Sequence, residues 1–329
     1  MSTTTTPMPV LLGTVGTDLT REQWLERRKA GIGGSEAAAI AGASDWASPL
    51  SVYLDKVGAV PPQEQNEAME WGSRLEAAVI LKFEDATGYA VGGRQDFYQS
   101  AEHPFMLATI DGRFVGHDLE DWLYEGKTTN AWKAQEWRDG VPLHVWVQVQ
   151  HDLAVTGLRH ACVATLVGGN HYEQHEVARE DEYIAVLIEM ERIFYERHML
   201  PQVPPPVEGH KADTDALALL YPESNDAEVL TLGPGAEEAL SDYLAYALAE
   251  REAGDEKTAA QNRLKQMLGE AEAGVVGEWR VSWKSQTRTS IDAKRLRAEQ
   301  PDLAEKYTKQ SSSRVFRVTD ITPTEADDE

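Results

Sequence analysis

The stretch Glu125-Gly126-Lys127 carries the residue types that a metal-dependent phosphodiesterase needs. An acid and a lysine stand one residue apart, and a second acid, Asp111, lies fourteen residues before Glu125 in an Asp-Gly step. Carboxylate oxygens are the ligands that Mg²⁺ prefers, and an ammonium group beside them can hold the attacking water. The pattern alone is weak, because a solvated Glu–Lys pair on an edge strand has the same spacing. Its meaning therefore depends on the surrounding segments.

The elements that must position these residues are predicted to be a hairpin. Residues 105–115 predict a strand that contains Asp111, and residues 122–128 predict the return strand after a polar turn. Because side chains alternate between the faces of a strand, Glu125 and Lys127 share one face. Asp111 meets them if the hairpin register is right.

Two further helices are predicted, and each carries a polar residue of interest. Residues 66–87 show apolar positions at helical spacing, and Glu76 lies at the border of that stripe. A carboxylate there is costly unless it is paired or metal-bound, although a solvated Glu with a packed stem is an alternative. Residues 142–157 predict a second helix, where Gln148 can orient water or phosphate or simply belong to a polar face.

A glycine-rich segment, Gly31-Ile32-Gly33-Gly34-Ser35, precedes an alanine-rich helix over residues 36–41. Backbone N–H groups at a helix N-terminus attract anions, so Ser35 is a candidate for capping the helix and contacting a phosphate. Arg28, one helix earlier, can supply a forked contact. The alternative is a tight turn between helices with Ser35 as an ordinary N-cap. The segment lacks the Gly-Lys-Ser/Thr ending of a nucleotide-binding P-loop, which argues against an NTPase.

Composition sets further limits on the 329-residue chain. The single cysteine, Cys162, excludes a disulfide framework or a Cys₄ zinc or iron–sulfur site within this chain. No apolar run approaches the ~20 residues of a membrane span, and the N-terminus does not resemble a signal peptide, so we expect a cytoplasmic protein. A net charge of −24 argues against a general nucleic-acid coat and requires any phosphate-binding surface to be local.

Patterning along the chain predicts five parts. We expect a flexible lead over 1–18, a main domain over 19–200, a Pro-rich linker over 201–234, a C-terminal helix and basic strand module over 235–318, and an acidic tail over 319–329.

The C-terminal module separates its charges. Residues 236–273 contain nine acids and four bases, whereas residues 278–317 contain ten bases and five acids. Four aromatic residues are interleaved with these bases, which suits phosphate contact combined with base stacking: Trp279, Trp283, Tyr307 and Phe316. The alternative is a small sheet in which the aromatics form the core and the cations are solvated.

Read in order, the motifs resemble the YqaJ-type viral recombinases, relatives of the phage lambda exonuclease within the PD-(D/E)xK nuclease superfamily. The resemblance spans residues 20–160, with further likeness near the C-terminus at Trp283-Lys284-Ser285, Tyr307-Thr308-Lys309 and Ser313-Arg314. The main pieces are Arg28 with Gly31-Ile32-Gly33-Gly34-Ser35-Glu36-Ala37, Trp46-Ala47-Ser48-Pro49, Met69-Glu70-Trp71-Gly72 with Leu75-Glu76, His103-Pro104, Ala108-Thr109-Ile110-Asp111-Gly112, Glu125-Gly126-Lys127-Thr128-Thr129 and Gln148-Val149-Gln150-His151.

The resemblance implies an α/β (α+β) fold: a restriction-endonuclease-like core with a central mixed sheet flanked by helices, plus a C-terminal helical and small β appendage. It also implies residue roles. Asp111, Glu125 and the carbonyl of Gly126 would bind metal with support from Glu76. Lys127 would position or deprotonate water, Gln148 would assist the site, and Arg28 and Ser35 would hold a terminal 5′-phosphate. Two positions depart from the family pattern: Gly126 replaces a larger apolar residue, and Val145 stands where a tyrosine is frequent.

The implied function is a Mg²⁺-dependent 5′→3′ exonuclease for double-stranded DNA ends that acts in phage recombination. Two Mg²⁺ ions are expected, Mn²⁺ is an expected substitute, and the partners would be a single-strand annealing protein and further copies of the chain in a ring, for example a trimer. Two alternatives remain open. One is a structure-selective endonuclease or a Cas4-like end-processing nuclease, and the lone cysteine opposes the iron–sulfur form of the latter. The other is a non-catalytic adaptor for DNA ends.

Overall fold

The computed structural model describes residues 8–61, 66–224, 229–310, 313–319 and 321. The chain divides into two units, Met1–Pro222 and Glu223–Glu329, and the boundary falls inside the linker predicted over 201–234. Most of the predicted acidic tail, including Glu325 to Glu329, lies outside the described residues, as do the first seven residues.

The first sheet of the N-terminal unit is antiparallel and contains three strands in the order β1 (Val10–Thr14), β2 (Asp96–Gln99) and β3 (Leu107–Ile110). The flexible lead predicted over 1–18 is therefore wrong where β1 lies. Leu12 and Val15 pack against a small buried cluster that contains Leu19 and Phe97. The partner strand is distant in sequence, so no local pattern in the lead could reveal this pairing.

The second sheet contains four strands in the order β4 (Gly112–Val115), β5 (Asp121–Thr129), β6 (His160–Val167) and β7 (His171–Ala178). The β4–β5 and β6–β7 pairs are antiparallel, whereas β5 and β6 are parallel. Parallel neighbours need a crossover, and helix α5 (Leu143–Thr156) lies in the connection between them. The mixed sheet flanked by helices is confirmed.

The chain changes sheets at Asp111. Residues before it pair with β2 and residues after it pair with β5, so the single strand predicted over 105–115 is wrong. The alternation of buried and exposed residues continues past Asp111, but the strand to which the backbone is hydrogen-bonded changes from β2 to β5. Local sequence preference cannot reveal such a change of partner. The consequence is that Asp111 stands at the junction of two sheets instead of inside a ladder.

Helices surround the two sheets. The remaining helices of this unit are α1 (Arg21–Arg28), α2 (Gly34–Ile40), α3 (Pro49–Lys56), α4 (Glu67–Thr87), a 3₁₀ helix (Ala131–Trp137), α6 (Asp181–Phe194) with a π-helical turn (Tyr195–Met199), and α7 (Lys211–Leu220). Asn66 caps α4 through its side chain, and Gly88 ends it in the left-handed conformation that glycine adopts readily. Both ends match the predicted helix.

Strand β5 is buried on both faces, as expected for a central strand between helical layers. Leu123 belongs to the cluster that contains Val149 and Leu153 of α5. On the other face, Tyr124 packs against Phe83 of α4 with ring centroids 5.0 Å apart. These two layers fix the rotation of β5, and so decide where its polar residues point.

Helix α4 is only partly a core helix. Its buried residues begin at Val79, and Met69, a member of the predicted apolar stripe, is 42% exposed. The first turns instead present Trp71 and Leu75 to a cavity beside β5. Helical periodicity predicted that Leu75 shares a face with Val79 and Phe83, but it could not distinguish a core face from the wall of a cleft.

The predicted linker contributes to the first unit. Helix α7 lies within it and packs against α3: the Ser48 hydroxyl donates to buried Asp213, and Ala216 joins the core cluster. The short helix expected near 215–221 is therefore present, with an earlier start.

The C-terminal unit contains α8 (Ala236–Leu268), β8 (Ala273–Val276), β9 (Trp279–Ser282), α9 (Ala293–Glu299) and α10 (Pro301–Lys306). The strand-rich character predicted for residues 278–318 is wrong, because β9 is accompanied there by two short helices. Asp292 and Pro301 begin these helices as an N-cap and an N1 proline, two signals that are present in the sequence. Among the residues that the structure describes, no helix has both the length and the apolar character to cross a membrane.

Candidate active site

Three side chains form a closed polar network on the α5 face of β5. The Lys127 ammonium lies 2.6 Å from Glu125 Oε1 and donates to Gln148 Oε1 at 3.0 Å. The Gln148 amide in turn donates to Glu125 Oε1 at 2.8 Å. Glu125 is only 3% exposed, so both donors satisfy a carboxylate that burial would otherwise make costly. The predicted alternation thus brings Glu125 and Lys127 together, and α5 adds Gln148.

Asp111 reaches the same strand from the sheet junction. Its Oδ2 accepts the Gly126 backbone N–H at 2.9 Å. A Cβ added at Gly126 would lie 3.3 Å from the Tyr124 hydroxyl and 3.6 Å from Asp111 Oδ2. The space that a larger middle residue would take is therefore occupied by the Tyr124 ring, which compensates for glycine at this position.

The electrostatics show a shortage of positive charge. Burial and the charge of Glu125 raise the pKa of Asp111 well above its ordinary value, although Lys127 opposes them. Burial alone would lower the pKa of Lys127, but the carboxylates of Glu125 and Asp111 outweigh it and raise that pKa. One ammonium thus faces two carboxylates of low exposure. Such a site suits a divalent cation, which supplies the missing charge to oxygen donors.

Glu76 is near this site but is held elsewhere. Its Oε1 accepts the Gln95 side-chain amide at 3.0 Å, and its charge contributes to the raised pKa of Asp111. In the described part of the chain, the ligand atoms of Asp111, Glu125 and Glu76 are not all within 4.8 Å of one another. The carboxylate predicted at the border of the apolar stripe is thus paired with an amide, and its role as a metal ligand remains a prediction.

The glycine-rich segment connects elements. Gly33, not Ser35, is the N-cap of α2, and its N–H donates to the Glu36 carboxylate at 2.8 Å. Ile32 forms backbone hydrogen bonds with Phe105 and Leu107, which attach the segment to the start of β3. The expectation that these glycines present free N–H groups to an anion is therefore wrong for Gly33, whose N–H is bound by Glu36.

Gly34 permits a close approach between two helices. A Cβ at this position would lie 2.8 Å from Gln148 Cγ and 2.8 Å from Asp152 Oδ1. Only glycine lets α2 pack this tightly against α5, and this packing holds Gln148 in place. The glycine run thus supports the site through packing.

Arg28 and Ser35, the predicted phosphate-binding pair, have different surroundings. Arg28 lies 2.6 Å from Glu36 Oε1 and stacks over Trp24 at 4.9 Å. Lys56 pairs with the other Glu36 oxygen at 2.7 Å. Ser35 is exposed and lines the cavity that contains Lys127, whereas Arg28 is not among the described residues lining it.

The cavity beside the network has a volume of about 730 Å³. Lys127, Gln148 and Val145 line this cavity. The lining also carries hydroxyl and aromatic groups, including Ser35, Thr128, Thr129, Trp46, Trp71 and His144. Trp46 remains 58% exposed and Trp71 53% exposed, so both rings are available to a ligand in the cavity.

Sequence reasoning missed Asp152. It lies one helical turn after Gln148 and is 2% exposed. Burial, aided by the charge of Glu125 and opposed by His151, raises the pKa of Asp152 to about 8. The signal was the i,i+4 spacing from Gln148, which places both side chains on the face of α5 that meets α2.

The Tyr124 hydroxyl was also missed. It is fully buried and has no hydrogen-bond partner within the described structure. Burial and the nearby charge of Asp111 raise the pKa of this tyrosine. No sequence signal distinguished it from an ordinary core aromatic.

A separate group with metal-ligand spacing lies in the loop that joins β4 to β5 and at the start of β6. It comprises Asp118, Glu120 and His160, whose ligand atoms all lie within 4.8 Å. Asp118 already accepts the Trp122 indole N–H at 2.9 Å, and both carboxylates are exposed. Exposed acidic groups of this kind are common without an ion.

Comparison with known proteins places the site inside a family domain. The model of the YqaJ-like viral recombinase domain matches residues 23–159, a span that includes Asp111, Glu125, Lys127 and Gln148. The uncharacterized protein YqaJ of Bacillus subtilis (strain 168) is 33% identical over 308 residues, covering 92% of this chain and 96% of that protein. The chain belongs to the YqaJ-like viral recombinase family.

Two solved structures also resemble this family member in outline. An alkaline exonuclease (LHK-Exo) from Laribacter hongkongensis is 20% identical, with 54% of this chain and 91% of that chain covered and a TM-score of 0.43. A phage related exonuclease from Haemophilus somnus 129PT is 11% identical, with 53% and 96% covered and a TM-score of 0.41.

Proposed function

We propose that this YqaJ-family protein is a Mg²⁺-dependent nuclease that degrades double-stranded DNA from 5′ ends. The observation that carries the proposal is the Glu125–Lys127–Gln148 network with Asp111 at its edge. Three ionisable groups are gathered beside a cavity, and the charge balance favours an added cation. This combination suits phosphodiester hydrolysis better than it suits structural stability, because buried ion pairs seldom stabilise a fold.

The residues present fit the expected metal through Asp111 and Glu125, with Glu76 nearby. When bound, Mg²⁺ would neutralise the charge of the phosphate and lower the pKa of the attacking water. Mn²⁺ is expected to substitute for it. Lys127 then places its ammonium beside the attacking water, while Gln148 fixes the orientations of Lys127 and Glu125 through its two hydrogen bonds. Gly126, whose N–H holds Asp111, would offer its carbonyl as a further ligand. Two ions are proposed for this site.

The proposed 5′→3′ polarity depends on an anion site. Ser35 lines the cavity with Lys127, and its hydroxyl would donate to a terminal 5′-phosphate. Arg28 uses part of its guanidinium on Glu36, and its planar fork retains further N–H donors for a phosphate. A 5′-phosphate held at this position would select the end from which hydrolysis proceeds.

The wider setting is proposed from the family. The protein would act in phage recombination on DNA ends, together with a single-strand annealing protein in the host cytoplasm. A closed ring of copies, for example a trimer, would reconcile the net charge of −24 with DNA binding, since an acidic exterior can surround a local basic track.

The test is hydrolysis of linear duplex with 5′-phosphate or 5′-hydroxyl ends, with and without Mg²⁺. We expect nucleotide release that needs Mg²⁺, is faster from 5′-phosphorylated ends, and disappears in Lys127→Ala. Lys211→Ala, which alters an exposed lysine on α7, serves as the matched control and should retain activity. Cleavage of covalently closed circular DNA would show that the protein is an endonuclease and not an exonuclease. Undiminished activity in Lys127→Ala would refute the assignment of the active site.

A further inference from the structure

Residues 278–317 form a cationic segment within an acidic protein. The chain as a whole has a net charge of −24, yet this segment contains ten Lys and Arg residues against five Asp and Glu residues. It also lies beyond the residues 23–159 that match the family domain. The proposed nuclease site makes no use of it, so its composition requires a separate explanation.

The aromatic side chains of this segment are exposed. Trp279 is 80% exposed, Trp283 50%, Tyr307 74% and Phe316 75%. The alternative that they form the core of a small sheet is therefore wrong. Each of these rings therefore has a face that a ligand can reach.

Cations lie beside these rings. The Lys265 ammonium lies 5.7 Å above the Trp283 ring, and Lys306 lies 5.6 Å from the Tyr307 ring centroid. Trp279 and Arg280 are adjacent in β9, at the tip of the β8–β9 hairpin, where Val276 pairs with Trp279. Positive charge and flat aromatic surface are thus interleaved at several points of the same unit.

This arrangement matches the chemistry of single-stranded nucleic acid. Every base has a flat face that stacks on an aromatic ring, while lysine and arginine neutralise the neighbouring phosphates. A duplex keeps its bases stacked on one another, so it offers these rings little to bind. An acidic partner protein would use the charges but would not need several exposed rings.

We propose that residues 278–317 bind single-stranded DNA through Trp279, Trp283 and the surrounding cations. The binding does not depend on hydrolysis, but it complements the proposed function. Removal of one strand of a duplex leaves the other strand single-stranded, and this segment would retain that strand.

The experiment measures fluorescence anisotropy of an oligothymidylate of about 30 nucleotides, which exceeds the ~4–16 nucleotides that one binding domain covers. Full-length Lys127→Ala protein in EDTA prevents degradation and separates binding from catalysis. We expect the double substitution Trp279→Ala/Trp283→Ala to raise the dissociation constant at least about tenfold, since each stacked base contributes ~1–3 kcal/mol. Trp279→Phe/Trp283→Phe should restore most of the affinity, which would exclude misfolding as the cause.

The charge contribution has its own test. Arg280→Gln/Lys284→Gln/Arg288→Gln should reduce the slope of log K against log salt by about 0.7 for each phosphate that the protein no longer neutralises. The control is Tyr246→Ala/Lys257→Ala on α8, which removes an aromatic and a cation from the same unit outside the segment. These control changes should leave binding unchanged.

Three results would overturn the proposal. The first is equal affinity of the Trp279→Ala/Trp283→Ala protein and its parent. The second is that Trp279→Ala/Trp283→Ala weakens binding of a duplex of matched length as much as it weakens binding of oligothymidylate. The third is failure of the full-length parent to bind oligothymidylate. Capture of a purified annealing protein by that parent, but not by Trp279→Ala/Trp283→Ala, would then assign the surface to a protein partner. Duplex hydrolysis by the unsubstituted protein is measured separately, so failure of either proposal is recognised independently.

Discussion

The site on β5 and the segment over residues 278–317 use charge in opposite ways. Around β5, ionisable groups are enclosed between α4 and α5, and each is fixed by a partner such as the Lys127–Glu125 pair. In the C-terminal segment, cations and rings are exposed to solvent. Hydrolysis requires groups held in place before the substrate arrives, whereas capture of a flexible strand requires an accessible surface. The contrast suggests a division between chemistry and retention.

The largest expected effect is loss of hydrolysis in Glu125→Gln. The substitution keeps the shape of a side chain that is 3% exposed but removes the charge that pairs with Lys127 and would bind metal. We expect duplex hydrolysis to fall by about 10³-fold or more. Oligothymidylate binding should persist, because the other unit supplies it. A single-turnover nuclease assay and anisotropy on the same protein would show whether both activities fall together, which would contradict the division.

Buried charge should also make stability depend on pH. The His151 ring contacts Glu191 at 2.8 Å and the Leu107 carbonyl at 2.9 Å, and both partners of the ion pair are fully buried. Burial lowers the pKa of His151, but Glu191 outweighs it and raises the pKa from 6.5 to about 9. The resulting stabilisation, on the order of 3 kcal/mol, is fully present below pH 6.5 and is lost as pH rises through about 9.

Glu191→Gln tests this dependence. The variant should be less stable at neutral pH and should lose less stability between pH 7 and about 9 than the parent, as measured by urea unfolding at each pH. His171→Asn, which disrupts an exposed His–Glu pair, is the control and should follow the parent. A parent whose stability is flat across this range would contradict a charged His151.

The same substitution at two glycines should have opposite effects. Gly34→Ala places a methyl group 2.8 Å from Gln148 Cγ and from Asp152 Oδ1, so we expect a loss of about 1–3 kcal/mol in stability. Displacement of Gln148 should also slow hydrolysis about 10- to 100-fold. Gly254→Ala on α8 meets no atom within 4 Å and should stabilise that helix by about 0.5–1 kcal/mol. Thermal unfolding, followed by circular dichroism, compares the stabilities of the two variants. A Gly34→Ala protein as stable as the parent would refute the argument that α2 and α5 pack too closely for a side chain at residue 34.

The smallest expected effect concerns the end preference. Arg28→Lys keeps a charge beside Glu36 but loses the planar fork, so the preference for 5′-phosphorylated ends should fall about 3- to 10-fold. Arg27→Lys changes the neighbouring exposed residue, which donates to the Leu12 carbonyl, and should keep the preference. The preference is measured by competition between 5′-phosphorylated and unphosphorylated duplexes for the same enzyme. An unchanged preference in Arg28→Lys would confine Arg28 to its ion pair with Glu36.

Local pattern explains why part of the site was predictable. Alternation along β5 and helical spacing along α5 are properties of short segments, and they were sufficient to place Glu125, Lys127 and Gln148. Where the geometry depends on distant partners, the sequence was insufficient. The sheet junction at Asp111 depends on β2, and the role of Gly34 depends on contacts with Gln148 and Asp152. The pairing of β1 with β2 was hidden for the same reason.

The C-terminal unit shows a different limit. Charge composition correctly separated residues 236–273 from residues 278–317, but it could not say whether the aromatics were buried. An aromatic residue such as Trp279 or Phe316 can lie in a core or on a surface, and the sequence is the same in both cases. Only the exposure of these side chains in the structure distinguishes the two. The aromatic residues favoured strands over residues 278–318, but the N-cap Asp292 and the N1 proline Pro301 begin helices there.

Direct titration of Mn²⁺ by calorimetry, without DNA, tests the central claim that Asp111 and Glu125 form a cation site completed by the Lys127 network. The account predicts saturable binding to the unsubstituted protein and a loss of at least about tenfold in affinity in both Asp111→Asn and Glu125→Gln. Asp118→Asn, at the separate acidic group, should leave this binding unchanged. Equal Mn²⁺ affinity in the unsubstituted protein, Asp111→Asn and Glu125→Gln would contradict the account.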